Sequence, residues 1–163
     1  EHAIAHVLGG KEDISIAARP ASLPRGLAFQ PIAISPLLFI APLEQQVPNV
    51  PTSTPATPQE WATIPVILSE SGVSRTRVDE WFRLQDITPR IYAQVTGNEA
   101  IVSMVSLGFG IGVVPKIVLD NSPLRDRIRV LEVTPELEPY DIGLFVLKKN
   151  LKNPLVEAFW SLM

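Results

Sequence analysis

The sequence predicts an α/β fold of two Rossmann-like lobes, because short apolar strands alternate with amphipathic helices along most of the chain. Two proline-containing segments, near residues 48–58 and 135–139, interrupt this alternation. We therefore expect residues 1–41 plus 137–163 to form lobe I and residues 42–136 to form lobe II. Two crossings between α/β lobes make a hinge, and such folds bind ligands in the crevice at the carboxyl ends of their strands.

Composition excludes several classes of protein. The chain has 163 residues, of which 46% are hydrophobic and 19% charged, so it is long and apolar enough for a sizeable core. Its net charge of −3, without a block of Lys or Arg, argues against direct binding of a nucleic-acid backbone. It has no cysteine and no apolar run near the roughly 20 residues of a membrane span, and we expect no secretory signal. Residues 1–8 have helical spacing without a preceding cap, so we expect a fragment of a longer protein.

The predicted elements of the first part of the chain are a helix and three extended segments. Ile4, Val7 and Leu8 have helical spacing, and Gly9 and Gly10 end that helix. Strands or extended segments are then expected at 14–18, 27–33 and 37–41. A long proline-rich loop with Pro48, Pro51, Pro55 and Pro58 follows, and loops of this length are usually functional or mobile.

The middle of the chain alternates regularly between strands and helices. Thr57 and Glu60 form a capping box with Pro58 at the first helical position, so a short helix carrying Trp61 is expected. Later strands are expected at 64–68, 91–95, 111–114 and 128–133, and helices at 74–85, from 96 onward and at 115–119. The helix at 74–85 has Val78, Trp81 and Phe82 on one face. This alternation predicts a parallel sheet with helices on both faces.

The end of the chain is predicted to return to lobe I. Residues 140–147 alternate as a strand does, and Asn153 followed by Pro154 is a helix start signal. The final helix is expected to place four residues inward: Leu155, Val156, Phe159 and Trp160.

The segment from Thr96 to Pro115 is the most informative one in the sequence. Thr96 and Glu99 have the spacing of a capping box, and Ile101, Met104 and Val105 follow on one apolar face. Free amides and the positive end of the helix dipole then suit a carboxylate at this helix start. The alternative is an ordinary capped helix in an α/β core.

The residues remaining for function are suited to recognition and not to catalysis. We expect three segments to contact a small polar acid. They are the turn after one lobe II strand, the helix start after the next strand, and a strand end of lobe I. Their residues are Ala18, Arg19, Ser69, Glu70, Ser71, Thr96, Gly97 and Asn98. Arg19 is a possible countercharge. Alternatively, Ser69 and Ser71 cap the following helix and Arg19 is a surface residue. Arg75 and Arg77 are expected to be solvated or in a protein contact.

No sequence feature indicates an enzyme, a cofactor or a strong metal site. His2 and His6 have metal-ligand spacing but no clear third ligand. A glycine motif that binds dinucleotides follows a strand and begins a helix. Residues 108–112, with the sequence GFGIG, instead lead into a strand, so they do not predict dinucleotide binding. There is also no plausible pair of nucleophile and base.

Two runs, 97–105 (GNEAIVSMV) and 108–115 (GFGIGVVP), resemble the effector-binding domain of LysR-type transcriptional regulators. Trp61 before 64–67 (IPVI) and the segment 39–42 (FIAP) also fit. Further runs at 80–83, 91–93, 118–123 and 155–160 resemble the acetohydroxyacid-responsive activators of isoleucine–valine biosynthesis, so the similarity covers nearly the whole chain.

The resemblance implies a type 2 periplasmic-binding-protein-like fold whose interlobe cleft holds a small carboxylate coinducer, such as acetolactate or acetohydroxybutyrate. It implies no cofactor, a cytoplasmic location, and DNA binding only through a helix-turn-helix that this chain lacks. The first strand of the domain is also missing, so lobe I is N-terminally truncated. Relatives form tetramers with paired effector domains, which implies contacts through the helices at 3–8 and 74–85. The alternative is a solute-binding protein of a transport system, which a secretory signal in the gene would identify.

Overall fold

The computed structural model describes residues 2–43 and 50–162, so Pro48 of the proline-rich loop lies outside the described part. The α-helices and strands in chain order are α1 (His2–Leu8), β1 (Ile14–Ala18), β2 (Leu27–Ser35), β3 (Leu37–Pro42), α2 (Pro58–Thr63), β4 (Pro65–Ser69), α3 (Val73–Leu84), β5 (Arg90–Val95), α4 (Asn98–Ser106), β6 (Ile111–Pro115), α5 (Lys116–Asp120), β7 (Ile128–Leu131), β8 (Tyr140–Leu147) and α6 (Pro154–Trp160). Short 3-10 helices lie at Arg125–Arg127 and Lys148–Lys152. None of the described helices combines the length and the apolar character that crossing a membrane requires.

The chain forms two compact units, and both crossings differ from the expected lobe boundaries. Unit 1 comprises Glu1–Ser35 and Tyr140–Met163, and unit 2 comprises Pro36–Pro139. The expectation that residues 37–41 belong with the first unit is wrong, because β3 pairs with β6 and β7 in the sheet of unit 2. An apolar strand carries no local signal of which sheet it will join, so only strand pairing decides its membership.

Unit 1 contains a three-stranded antiparallel sheet in the order β1-β8-β2. Helix α1 buries Ile4 and Val7 against Leu27 and Phe145 of this sheet. The amide of Gly10, whose φ is 70°, donates to the carbonyl of Val7 as the helix ends. The glycine stop signal at this helix is therefore confirmed.

Helix α6 begins as expected but buries fewer residues than expected. The side chain of Asn153 accepts a 3.0 Å hydrogen bond from the amide of Leu155, and Pro154 is the first helical residue. Only Val156 is buried, whereas the exposed fractions of Leu155 and Phe159 are 82% and 42%. Leu155 and Phe159 lie four residues apart on a face of α6 that unit 1 does not cover, so the expectation that both point inward is wrong.

Unit 2 contains a five-stranded sheet in the order β5-β4-β6-β3-β7. β4 is parallel to both β5 and β6, whereas β3 is antiparallel to β6 and β7. The parallel sheet predicted for the middle of the chain is therefore confirmed for β4, β5 and β6, whereas β7 pairs antiparallel with β3. Helices α3 and α4 follow β4 and β5 and supply the long crossovers that parallel pairing needs, while no helix separates β1, β2 and β3.

Helices cover both faces of the five-stranded sheet. Neighbouring residues of a strand point to opposite faces, so Phe39 and Ile40 of β3 lie on opposite faces of the sheet. Phe39 lies 5.1 Å from Trp61 of α2 and 4.9 Å from Trp81 of α3, measured between ring centroids. Ile40 belongs instead to a buried cluster with α4 and α5, which includes Ile101, Val102, Val105 and Leu119. The capping box at the start of α2, between Thr57 and Glu60, is confirmed.

The glycine-spaced segment 108–112, which leads into β6, allows close packing at two positions. A Cβ on Gly110 would lie 2.2 Å from the carbonyl oxygen of Pro65, and one on Gly112 would lie 2.4 Å from Cγ2 of Ile101. Both positions therefore exclude any larger residue without movement of the sheet or of α4. Gly112 lies within β6, which follows α4, so this segment does not open a helix after a strand.

Candidate functional site

The loops that follow β4 and β5 lie side by side in unit 2. The two strands are parallel, with Ser69 opposite Val95 at their carboxyl ends. Beyond this pair, the amide of Glu70 donates a 3.1 Å hydrogen bond to the carbonyl of Val95. The turn at 69–72 and the helix start at 96–98 are therefore neighbours, because neighbouring parallel strands end at the same edge of a sheet.

A direct hydrogen bond connects these two loops. The hydroxyl of Thr96 donates to Oε2 of Glu70 over 2.8 Å, and both residues are exposed. The predicted capping box between Thr96 and Glu99 is wrong, because the N-cap of α4 is Gly97 and no side chain caps the helix. Gly97 has a φ of 93°, which glycine adopts at little cost, so the helix starts one residue later than the box requires.

The start of α4 has both hydrogen-bond donors and acceptors. Its first amides have no side-chain cap, as expected for a helix start that can receive a carboxylate. Oδ1 of Asn98 is buried and has no hydrogen-bond partner. The carboxylate of Glu99 lies over Gly97, since its Oε2 would be 3.6 Å from a Cβ at that position. This edge therefore offers free amides as donors and the oxygens of Asn98 and Glu99 as acceptors for hydroxyl groups.

Ser69 and Ser71 do not cap helix α3. Its N-cap is Gly72, with a φ of 99°, and no side chain caps it either. The hydroxyl of Ser69 lies 3.4 Å from the hydroxyl of Ser74 in the first turn of α3. Ser71 is exposed, and within residues 2–43 and 50–162 its side chain makes no hydrogen bond. The alternative in which these serines only cap the helix is therefore wrong.

Arg75 borders the same turn, although it was expected to be solvated or in a protein contact. Its Nη1 donates to the carbonyl of Ser69 over 3.0 Å and also to Oε1 of Gln94 on β5. Its Nε lies 2.9 Å from both carboxylate oxygens of Asp79. Only 18% of the side chain is exposed. The spacing of Arg75 and Asp79, four residues apart on a helix, was the one sequence signal for this cluster.

Arg77 is also engaged within unit 2. It donates to the carbonyls of Glu138 and Pro139 and lies 3.7 Å from the carboxylate of Glu138. Arg77 therefore anchors the last residues of unit 2 to α3. Of the two alternatives expected from the sequence, a solvated side chain is wrong, and a contact with another protein stays a prediction.

The two candidate residues of unit 1 lie at the end of β1. Ala18 pairs with Ile142 of β8, and the amide of Arg19 donates to the carbonyl of Asp141 over 2.8 Å. The guanidinium of Arg19 lies 3.8 Å from the carboxylate of Asp141 and 5.2 Å from the centre of the Phe29 ring. Half of the Arg19 side chain is exposed, and its role as a countercharge to a ligand stays a prediction.

Several polar groups of unit 2 away from this edge already bond to one another. A groove of about 360 Å³ lies beside α2, where Glu60 accepts a 2.7 Å hydrogen bond from the amide of Ala56 and Thr63 donates to the carbonyl of Glu60. Arg129 donates to the carbonyls of Pro42 and Pro51, and its partial burial lowers its pKa. This groove therefore offers a ligand few unpaired groups.

Two further observations concern charged side chains away from the candidate edge. A hydrogen bond from Arg83 lowers the pKa of Glu80 on the exposed face of α3, and the same bond raises the pKa of Arg83. In unit 1, Nδ1 of His6 lies 3.1 Å from Oε1 of Glu12. The side chain of His2 lies outside the described part of the structure, and among the side chains that are described, no three acidic or His residues form a metal-binding cluster.

Comparison with known proteins identifies the family. A family model described as the LysR substrate binding domain matches residues 1–163. The HTH-type transcriptional regulator IlvY of Escherichia coli strain K12 is 40% identical over 166 residues, covering 99% of this chain and 54% of IlvY. The activator IlvY of Haemophilus influenzae is 37% identical over 153 residues, covering 93% of this chain and 51% of that relative. The chain thus spans about half the length of the curated relatives it matches.

Solved structures show the same fold. The regulatory domain of CcmR from Synechocystis PCC6803, in complex with 2-PG, matches with a TM-score of 0.78 at 20% identity, covering 96% of this chain and 74% of that one. The effector-binding domain of QuiR, in complex with shikimate, matches with a TM-score of 0.75 at 24% identity, covering 97% and 73%. The α/β fold is therefore the type 2 periplasmic-binding-protein-like fold of LysR effector-binding domains. The chain belongs to the LysR substrate-binding domain family, whose members are domains of transcriptional regulators and not enzymes.

Proposed function

We propose that this chain is the ligand-sensing domain of a LysR-type transcriptional regulator of the IlvY type. It binds a small carboxylate coinducer, acetolactate or acetohydroxybutyrate, and thereby controls transcription of genes for branched-chain amino-acid biosynthesis. The observation that carries this proposal is the 40% identity to IlvY over 99% of the chain. The polar edge formed by the loops after β4 and β5 supports it independently.

The chemistry of that edge matches the chemistry of a 2-hydroxy-3-oxo acid. Such a ligand carries a carboxylate, a ketone and a hydroxyl group. The amides at the start of α4 suit the carboxylate, and the hydroxyls of Ser69 and Ser71 can donate to the ketone. The hydroxyl of Thr96 gives its proton to Glu70, so it can accept a hydrogen bond from the ligand hydroxyl. The unpartnered Oδ1 of Asn98 and the carboxylate of Glu70 can accept a hydrogen bond from the ligand hydroxyl.

The remaining parts of the proposal come from the family. Contacts of Ala18 and Arg19 with the coinducer stay a prediction from the sequence. DNA binding belongs to a helix-turn-helix domain outside this chain, and the whole regulator acts in the cytoplasm. Two copies of the domain pair through α1 and α3, whose residues Leu8 and Leu84 are 43% and 63% exposed. Coinducer binding shifts the regulator between conformations by no more than its differential affinity for them.

Calorimetric titration tests the proposal directly. The protein, as its gene encodes it, is titrated with 2-acetolactate and 2-aceto-2-hydroxybutyrate, and with pyruvate as a smaller acid without the hydroxyl group. We expect saturable binding of the two acetohydroxy acids and much weaker binding of pyruvate. Absence of binding by either acetohydroxy acid would overturn the proposed coinducer.

The coding sequence upstream of residue 1 tests the class of protein separately. A helix-turn-helix domain there supports a transcriptional regulator. A secretory signal in its place would support a solute-binding protein of a transport system.

A further inference from the structure

Arg75 makes more contacts at the candidate edge than any role in helix stability requires. The residue lies in the first turn of α3, but its guanidinium reaches three different elements. It contacts Asp79 of its own helix, the last carbonyl of β4 at Ser69, and the side chain of Gln94 on β5. A planar guanidinium presents its donors in a rigid fork, so it can hold several acceptors in a fixed arrangement.

The carbonyl of Ser69 is the point at which the turn leaves the sheet. One residue later, the amide of Glu70 bonds to the carbonyl of Val95, and the side chain of Glu70 accepts from Thr96. Arg75 therefore fixes one side of the turn while β5 fixes the other. Because Gly72 has a φ of 99° and no side chain caps α3, no capping side chain provides a further anchor for the turn.

The pairing of Arg75 argues against a role as the ligand's countercharge. Both carboxylate oxygens of Asp79 lie 2.9 Å from Nε of Arg75, so the charge of the guanidinium is already balanced within α3. Only 18% of the side chain is exposed, which leaves little of it for a ligand. Its contribution to binding would then come from geometry, by holding the groups that touch the ligand.

We propose that Arg75 is a positioning residue for the coinducer site. It holds the Ser69–Gly72 turn against β5, so that the hydroxyls of Ser69 and Thr96 and the carboxylate of Glu70 keep the spacing that the ligand requires. This inference rests on the proposed function, because the site it organises is the one assigned to the coinducer.

The test compares two arginines of the same helix. In Arg75→Gln, the Kd for 2-acetolactate is expected to rise about tenfold or more, because the charge-assisted bonds that orient the turn are lost. Arg75→Lys keeps the charge but cannot bond Asp79 and the Ser69 carbonyl in one fork, so it is expected to recover only part of the affinity. Arg83→Gln is the matched control, since among the described residues Arg83 pairs with exposed Glu80 alone, and its loss should leave the Kd unchanged.

A second measurement separates positioning from general stability. Amide hydrogen exchange at Glu70 is expected to accelerate in Arg75→Gln, and exchange in β6 is expected to stay as slow as in the wild type. Should Arg75→Gln fail to fold, Asp79→Asn is used, because it releases the guanidinium while preserving the shape of the side chain. Weaker binding by Asp79→Asn supports the proposal.

The outcomes distinguish this inference from the proposed function. If the wild type does not bind 2-acetolactate, the proposed function fails, and hydrogen exchange at Glu70 still tests whether Arg75 orders the turn. If the wild type binds and Arg75→Gln binds equally well, Arg75 has no positioning role. An equal loss in Arg83→Gln would also overturn the inference, because the effect would then belong to α3 as a whole.

Discussion

The hydroxyl of Thr96 donates a 2.8 Å hydrogen bond to the carboxylate of Glu70 and joins the loops that follow two neighbouring parallel strands. The bond places a neutral donor beside a charged acceptor at the start of α4. It also means that a carboxylate of the protein lies close to the place proposed for the carboxylate of the coinducer. The two partners are therefore expected to affect binding in opposite directions.

Thr96→Val should weaken the binding of 2-acetolactate and leave the fold intact. Valine preserves the shape of threonine and removes the hydroxyl, so the loss is about 1 kcal/mol of binding free energy, roughly fivefold in Kd. Calorimetry on the variant and on Thr88→Val measures it, because Thr88 is an exposed threonine away from the edge. Equal Kd values for wild type and Thr96→Val would exclude Thr96 as a ligand contact.

Glu70→Gln should strengthen the binding of the same anion. Glutamine still accepts the hydrogen bond from Thr96, but it removes a negative charge that repels the ligand carboxylate by about 1 kcal/mol at a separation near 4 Å in water. The Kd is expected to fall roughly fivefold at low salt, and the difference should shrink as salt is added. Glu132→Gln, an equal change of charge at an exposed position, serves as the control. Weaker binding by Glu70→Gln would mean that the hydrogen bond from the ligand hydroxyl to this carboxylate outweighs its repulsion of the ligand carboxylate.

Gly112→Ala should destabilise unit 2 through a steric conflict in its core. The added Cβ would lie 2.4 Å from Cγ2 of Ile101 and 3.1 Å from Cγ2 of Val105, and overpacking of this kind costs about 1–3 kcal/mol. Urea denaturation measures the free energy of unfolding. In an Ile101→Ala background the nearest methyl is absent, so the same glycine substitution should cost less. If Gly112→Ala lowered the free energy of unfolding equally in the wild type and in the Ile101→Ala background, this explanation would be contradicted.

Leu84→Glu should weaken the proposed pairing of two effector domains. Leu84 lies at the end of α3 and is 63% exposed, and a charge there would be costly to bury in an interface. Sedimentation equilibrium of the two proteins should show a smaller oligomer or a higher dissociation constant for the variant. Leu155→Glu is the control, because Leu155 is 82% exposed on α6 and lies outside the proposed contact helices. If the oligomer of Leu84→Glu had the same mass and dissociation constant as the wild type, Leu84 of α3 would not be part of the interface.

Local signals predicted helix starts well where a proline supported them. Thr57 and Thr96 both precede a glutamate by three residues, yet only Thr57 forms the capping box. Pro58 favours the first helical position after Thr57, whereas Gly97 can adopt a positive φ and becomes the N-cap itself. The same four-residue pattern therefore has two outcomes, and the residue inside it decides between them.

The sequence alone determined most element spans, the apolar faces of α1 and α3, the family resemblance and the loops at the candidate edge. These features depend on residues within a few positions of each other, through backbone preferences, capping and the periodicity of side chains. The expectation that Ser69 and Thr96 share one edge also succeeded, because parallel strands joined by helices end on the same side of a sheet.

Only the tertiary structure decided which sheet contains β3, which carboxylate accepts the hydrogen bond from the Thr96 hydroxyl, and where the side chain of Arg75 lies. Each of these depends on a choice among partners far apart in the chain, since Glu70 and Thr96 are separated by 26 positions. Strand order brings such partners together, and side chains then bond to the groups that packing has placed beside them. Short segments of the sequence therefore supply the chemical groups of the candidate site, and the tertiary structure arranges them.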